Sequence, residues 1–419
     1  MRGYMVRLTG TIVIGLWFLA GAAGCAERPY VLGPAPDKPE STAEPSVRPP
    51  AEAEPPAQGV SKPSSPRPDR PASVWDPLID RLVADGVPRP TAEAALIEEG
   101  IRFDPDPMRV KLEELSELYV DPVLTEALQR NLTRLGYRPG PVDGLAGAQT
   151  RRAIKAFEMD HNLPVSGRPT DKILAMTETD LALPPDQRPA RRSRSFFGPP
   201  VYEWVLTPDN LARIRRFFEE HRTVLAWMED RSGVPAEVAV GIMSVETNLG
   251  QNLGQRKALA ALASMAASAD FDLVAPYVDL TGPPGLGRAW LEEKAREKGE
   301  WAYNELKAFF LYAEQNDLDL AALPGSIYGA VGLVQFMPST ALRYAHDADG
   351  DGRADMFDLD DALSSLGRYL KALGWPSEVE DAEAARQALY GYNRSTRYVN
   401  TILAVAEKLG WPPDHGPNP

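Results

Sequence analysis

Two groups of residues in this chain have the types and spacing to do chemistry. The first centres on Glu246, within the run GVPAEVAVGIMSVETNLG from Gly233 to Gly250. Pro235 at the front and Gly250 at the back are the residues that open and close helices, so the run predicts about four helical turns. Steps of three, four and seven from Glu246 reach Met243, Ile242, Leu249, Ala239 and Val238, whereas Ser244, Asn248 and Glu237 fall on the opposite side. A carboxyl group on an apolar stripe is penalised for ionising, and its pKa rises until it holds a proton near neutrality, as a general acid must. A glutamate paired with a buried Arg or Lys gives the same pattern, and the stretch alone leaves both readings open.

The second group is DADGDGRADMFDLDDA. Asp347, Asp349 and Asp351 alternate as hard oxygen ligands, Gly352 permits a sharp turn, and Arg353 offers its carbonyl at the seventh place of a calcium-type loop. Carboxylates this close repel one another unless a cation lies among them. An EF-hand would close with Glu at the twelfth position, where this chain has Asp358. A solvated acidic turn and a dockerin-like repeat share the spacing, although dockerin repeats come in pairs and this sequence has one.

The 419 residues leave room for two or three domains, and the formal net charge of −14 argues against a nucleic-acid partner. Arg188, Arg191, Arg192 and Arg194 form a short basic run in a Pro-rich segment, which reads as a solvated linker. At the N-terminus, Arg2 and Arg7 precede an apolar run, Ile12 to Ala20, and the small residues Gly21 to Gly24, the layout of an export signal. Cys25, the single cysteine, follows at once. GAAGC resembles the lipobox of bacterial lipoproteins, with Ala22 where Leu is usual; the resemblance implies a lipid anchor on Cys25 at the periplasmic face of a membrane, most naturally the outer one. Lipidation would leave no thiol for a disulfide or a nucleophile. From Glu27 to about Ala72 the sequence is Pro, Ala, Glu and Ser with few large apolar residues, a tether whose reach lies between roughly 40 Å as a coil and roughly 140 Å as polyproline.

From Val74 to Tyr119 the pattern predicts three helices broken at Gly86 and Gly100. Two further helical stripes flank a Gly/Pro-rich turn at Gly140 to Gly147, with a short helix near Thr170 to Met176. This block resembles the three-helix peptidoglycan-binding module through Leu128, Gln129, Leu132, Leu135, Gly136, Tyr137, Gly140, Val142, Asp143, Gly144, Gly147, Thr150, Ala153, Phe157 and Gly167. The leucines and Phe157 suit a core, and Thr150 suits a helix cap. Glu158 stands where the family usually has Gln. The resemblance implies binding to cell-wall glycan or stem peptide.

The chain from Leu206 is again helical. Its ordered motifs, the Glu246 helix, GSIYGAVGLVQFMPST, the acidic loop and YGYNRSTRY, resemble the membrane-bound B type of lytic murein transglycosylases. That resemblance implies a mainly α, goose-lysozyme-like catalytic domain, with the binding module inserted in it. The expected divisions are 1–24 signal, 25–72 tether, 73–119 first catalytic helices, 120–178 binding module, 179–200 linker and 201–412 the rest of the catalytic domain. It also implies that Glu246 is the acid, that Ser326 and Gln335 line the site with Tyr392 and Asn393, and that Tyr398 forms a wall. Gly325, Gly329, Ala330 and Gly332 would let a glycan approach the backbone. Asp361, fifteenth in the acidic loop, is the family's last carboxylate around a structural Ca2+. The family's arginine pair after the acid helix has no counterpart in SADFDLVAPYVDLTGPPGLGRAW.

The implied reaction uses one carboxyl group twice. Glu246 protonates the oxygen leaving between N-acetylmuramic acid and N-acetylglucosamine, then takes the proton of the muramoyl C6 hydroxyl, which closes on C1 as a 1,6-anhydro ring. A lysozyme-like muramidase, a noncatalytic wall-anchoring lipoprotein and a dockerin-like scaffold component are the competing readings.

Overall fold

The computed structural model describes residues 73–118, 121–189, 201–278, 287–376 and 382–411. The expected signal, Cys25, the tether and Arg191, Arg192 and Arg194 lie outside them. No helix among the described residues is long and apolar enough to cross a membrane.

The described chain is almost wholly helical. α1 (Asp76–Ala84), α2 (Arg89–Glu93, running on through a wider turn to Glu98) and α3 (Asp106–Leu118) come first. α4 (Pro122–Arg134), α5 (Ala148–Asp160) and α6 (Asp171–Ala182) follow. Then come α7 (Pro208–Glu220), α8 (Arg222–Ser232), α9 (Ala236–Glu246), α10 (Ala258–Ala267) and the long α11 (Arg288–Gln315). α12 (Pro338–Tyr344), α13 (Leu359–Ala372), α14 (Ala382–Tyr392) and α15 (Thr396–Leu409) complete the order. One two-residue antiparallel pairing, β1 (Arg256–Lys257) with β2 (Pro324–Gly325), ties the entry of α10 to the segment before α12.

Among the described residues two separate cores are built. The larger joins side chains of the first helices, such as Trp75, Leu82, Leu96 and Leu112, to those from Val205 to Trp411. The smaller holds Leu128, Leu132, Ala153, Ile154, Phe157 and Ile173 from α4, α5 and α6. Asp121 caps α4 through Val123 N, and Thr170 caps α6 through Ile173 N. Thr150 is not a cap: Gly147 holds that position, and the Thr150 hydroxyl lies inside the first turn of α5, donating to Pro139 O and accepting from Gln129 Nε2. Gln129 in turn accepts from Asp143 N and Gly144 N, so these two residues pin the Gly/Pro-rich turn to the bundle. Glu158 is buried and closes on Ser166 N, Ser166 Oγ and Gly167 N, which makes it a turn-locking carboxylate. α6 runs on to Ala182, past Met176, and near its end buried Asp180 accepts from His161, the residue that closes α5, at 2.8 Å.

α9 lies at the centre of the larger core. Every residue of it except Glu237 is buried, so the expected polar side carrying Ser244 does not exist; α7, α8, α13 and α15 all pack on the helix. Ser244 satisfies its hydroxyl on Gly241 O. A helix apolar all round is the pattern of a fully enclosed element. Gly241 lets α15 approach closely, since a Cβ there would stand 3.1 Å from Ile402 O.

Candidate active site

Glu246 is the last residue of α9, four residues before the expected end at Gly250. Thr247 leaves the helix, and Asn248 and Leu249 both take positive φ (55° and 62°), which sequence does not announce for residues other than glycine. Glu246 is 5% exposed. Its pKa is pushed up to about 8, first by burial; the hydrogen bond from the Tyr398 hydroxyl to Oε1, at 2.7 Å, pulls the other way. The helix end adds to the penalty on the charged form, because the C-terminal end of a helix repels an anion. Among the described residues no Arg or Lys pairs with Glu246, so the buried ion pair that the sequence left open is not formed.

The close crossing at Gly241 brings Tyr398, one turn before Ile402 on α15, onto the acid. Tyr398 is 0% exposed, and its ring stacks on Tyr392 at 6.1 Å and 11°. Tyr392 donates its hydroxyl to Val334 O, and Thr247 donates to the preceding carbonyl, Leu333 O, at 2.8 Å. The end of the acid helix and the end of α14 thus hang on consecutive carbonyls of one turn. Gln335 follows in that turn with φ 51°, buried, its amide donating to Gly332 O. Asn393 is buried, and its Oδ1 has no hydrogen-bond partner. An orphaned acceptor of this kind is costly unless a ligand supplies the donor. Tyr398 thus touches Glu246 and Tyr392 stacks on Tyr398, while Gln335 and Asn393 directly follow two residues of this group, Val334 and Tyr392, in the chain. Ser326 is not bonded to this group; half-buried at the far end of the same segment, it accepts from Tyr328 N and Ala330 N and closes a turn.

The small residues of that segment are used internally. A Cβ on Gly329 would meet Leu262, one on Gly332 would come 2.3 Å from Met356 O, and one on Gly325 would meet Ala258 and Ala330 O. These glycines, and Ala330 at 0% exposure, let protein rather than glycan approach the backbone, contrary to the expectation from their small size. Gly329 and Gly332 also hold φ of 85° and 77°, which other residues adopt only under strain.

In the acidic loop, Asp347, Asp349 and Asp361 each place a carboxylate oxygen within 4.8 Å of the others. Asp358 is turned away to cap α13 through Asp360 N and Asp361 N. Asp351 accepts from Arg353 N and stands outside the trio, while the Arg353 guanidinium reaches Asp317. That cation therefore does not neutralise the cluster. Burial first, then the charges of Asp358 and Asp349, raise the Asp361 pKa, against hydrogen bonds from Ala348 N and Asp355 N.

Residues 171–386, more than half of the chain, match the family described as the transglycosylase SLT domain. The chain belongs to that family. Residues 124–176 match a second one, the putative peptidoglycan binding domain. The SLT-domain chain is 32% identical over 203 residues to membrane-bound lytic murein transglycosylase B of Escherichia coli K12, covering 48% of this chain and 49% of that protein. It thus spans about half the length of that curated relative. Among solved structures, SltB3 of Pseudomonas aeruginosa in complex with NAG-NAM-pentapeptide is 18% identical, with TM-score 0.46, covering 82% of this chain and 83% of that one. Escherichia coli Slt35 in complex with calcium is 21% identical, with TM-score 0.40, covering 62% and 92%.

Sequence reasoning missed two residues that shape this SLT-domain site. Thr247 is a small polar residue that reads as helix, yet its side chain fixes where the helix stops. Tyr312, on the apolar stripe of α11, accepts from Met356 N and donates to Ala354 O, so it fastens the acidic loop beneath the Gly332 turn. Neither leaves a signal in sequence, because each acts through a distant backbone.

The Tyr398 hydroxyl has a measurable consequence. Its hydrogen bond favours the charged form of Glu246, so Tyr398→Phe should raise the carboxyl pKa further, by about one pH unit for a bond of this class. Titration of the carbon-13 signal of the Glu246 carboxyl would read the change, and an unchanged midpoint would remove Tyr398 from the account.

Proposed function

We propose that the protein cleaves the β-1,4 bond between N-acetylmuramic acid and N-acetylglucosamine in peptidoglycan without hydrolysis, leaving 1,6-anhydromuramoyl ends. One observation carries this reading: Glu246 is a buried acid whose pKa burial raises and the Tyr398 hydroxyl lowers, and among the described residues no second carboxylate acts on it. Glycosidases that hydrolyse by inversion or retention need a pair. Here a single carboxyl group protonates the leaving oxygen and then, as carboxylate held by the Tyr398 hydroxyl, takes the proton of the C6 hydroxyl. The ring closes internally and no water is consumed. The unpaired Asn393 Oδ1 supplies an acceptor for a sugar hydroxyl or N-acetyl N–H, and Gln335 and Ser326 offer an amide and a hydroxyl.

The same reading makes Asp347, Asp349 and Asp361, with Asp351 and the Arg353 carbonyl, the ligands of a structural Ca2+. An all-oxygen, acid-rich set fits a hard cation and not a soft metal. The module around α4 to α6, inserted between the first catalytic helices and the rest, would hold cell-wall glycan. A lipid on Cys25 would tether both to a membrane facing the periplasm. Isolated murein digested by the full chain should release fragments lighter by one water than the hydrolysed products, read by mass spectrometry. Reducing-end products would instead favour a muramidase, and no release would favour a noncatalytic anchor.

A further inference from the structure

The region beside the acid contains a cation that the assigned site does not use. Arg213, on α7, reaches across to the loop that leaves Glu246. Its Nη1 donates to Gln251 Oε1 at 2.6 Å, and its Nη2 donates to Asn210 Oδ1 at 2.9 Å and to Asn248 Oδ1. All three acceptors are neutral amides. Its Nε is buried and has no hydrogen-bond partner, and among the described residues no carboxylate pairs with it. The contrast with Arg256 is direct: that guanidinium, also near the loop, is matched by Asp104 and Asp106. In a chain of net charge −14, an arginine fixed by amides is oriented without being neutralised.

Its position ties it to the acid. Asn248 lies two residues past Glu246, at most about 7 Å along the backbone. Asn248 and Leu249 both hold positive φ there, a strained conformation that clusters at functional sites. Arg213 is not among the groups that move the Glu246 pKa, which burial alone raises.

The geometry points to Arg213 as the residue that binds a substrate carboxylate next to the scissile bond. This rests on the peptidoglycan reading above. A glycan strand offers that chemistry from two sources: the free carboxyl groups of the stem peptide, or the lactyl carboxylate exposed once the stem is removed. A guanidinium suits either, since the one Nη1 N–H that Gln251 leaves free can make a charge-assisted hydrogen bond to a carboxylate.

The test uses the full chain as wild type, Arg213→Gln and Arg213→Lys, with stem-bearing strands, strands stripped of stems, and a neutral N-acetylglucosamine hexamer as a binding probe. Arg213→Gln should raise KM about tenfold on at least one of the anionic strands, with kcat and the hexamer Kd unchanged, as loss of a charged hydrogen bond predicts. Arg213→Lys should recover part of the loss. A rise confined to stem-bearing strands assigns the peptide carboxyl, and a rise confined to stripped strands assigns the lactyl group. Unchanged KM on both, or an equal weakening of hexamer binding, overturns the inference while wild-type turnover leaves the reaction itself standing. A wild type that cleaves neither strand overturns both.

Discussion

Glu246→Gln should lose about a thousandfold in turnover of murein, the scale of removing a general acid and base, while keeping the fold. Glutamine has the same shape and can still accept the Tyr398 hydroxyl. The same variant should be more stable than wild type, by an amount that depends on pH. With a folded pKa of about 8 against 4.5 ordinarily, the folded chain retains a proton that the unfolded chain releases. Wild-type stability therefore falls as pH rises through that window, whereas the glutamine variant has no charge to desolvate. Each pH unit between the folded and unfolded midpoints is worth about 1.4 kcal/mol, so the gap reaches several kcal/mol on the alkaline side. Thermal melts of both forms at pH 5 and pH 9 would measure it. Wild-type activity should decline above about pH 8, as the acid form is lost. A melting gap that does not widen with pH, or a variant with residual turnover near wild type, would mean that Glu246 is not held as an acid.

The acid is legible in sequence for a physical reason: a carboxyl group in a run of Ala, Val, Ile and Met has nowhere polar to go. Its surroundings are legible to different degrees. The helical pattern marks the elements, and the alternating aspartates mark the cluster, because both depend on near neighbours in the chain. The end of α9 is not legible, since Gly250 looks like a stop while the true stop is the Thr247 bond to Leu333 O, some eighty residues away in sequence. Glycines announce backbone freedom but not what approaches them, so Gly332 reads as space for sugar when it makes room for Met356 O. Thr150 looks like a cap and is a buried hub, because a hydroxyl serves either role equally well. Arg213 is invisible for the same reason as Tyr312: its partners come from another element, and nothing in its own neighbourhood marks it.

Saturating calcium should raise the melting temperature of the catalytic core by roughly 5–10 °C, and chelation should reverse it, if binding at a hundred times Kd adds about 2.7 kcal/mol. Three carboxylate oxygens lie within 4.8 Å with no side-chain cation among them in the described residues, so the loop carries repulsion that a divalent ion would relieve. Asp361→Asn should abolish the response, since Asp361 is the buried member of the trio and also holds Ala348 N and Asp355 N. Magnesium should substitute poorly, because it demands tighter octahedral geometry. The effect should extend to turnover. Met356 O accepts from Leu333 N, and Leu333 O and Val334 O anchor Thr247 and Tyr392 beside the acid, so loosening the loop releases the turn on which the site hangs. Chelator should thus lower turnover as well as the melting point in wild type, while Glu246→Gln keeps the thermal response with no turnover to lose. Identical melts in calcium and in chelator would show that the acidic loop is a solvated turn and that its packing against Gly332 alone braces the site.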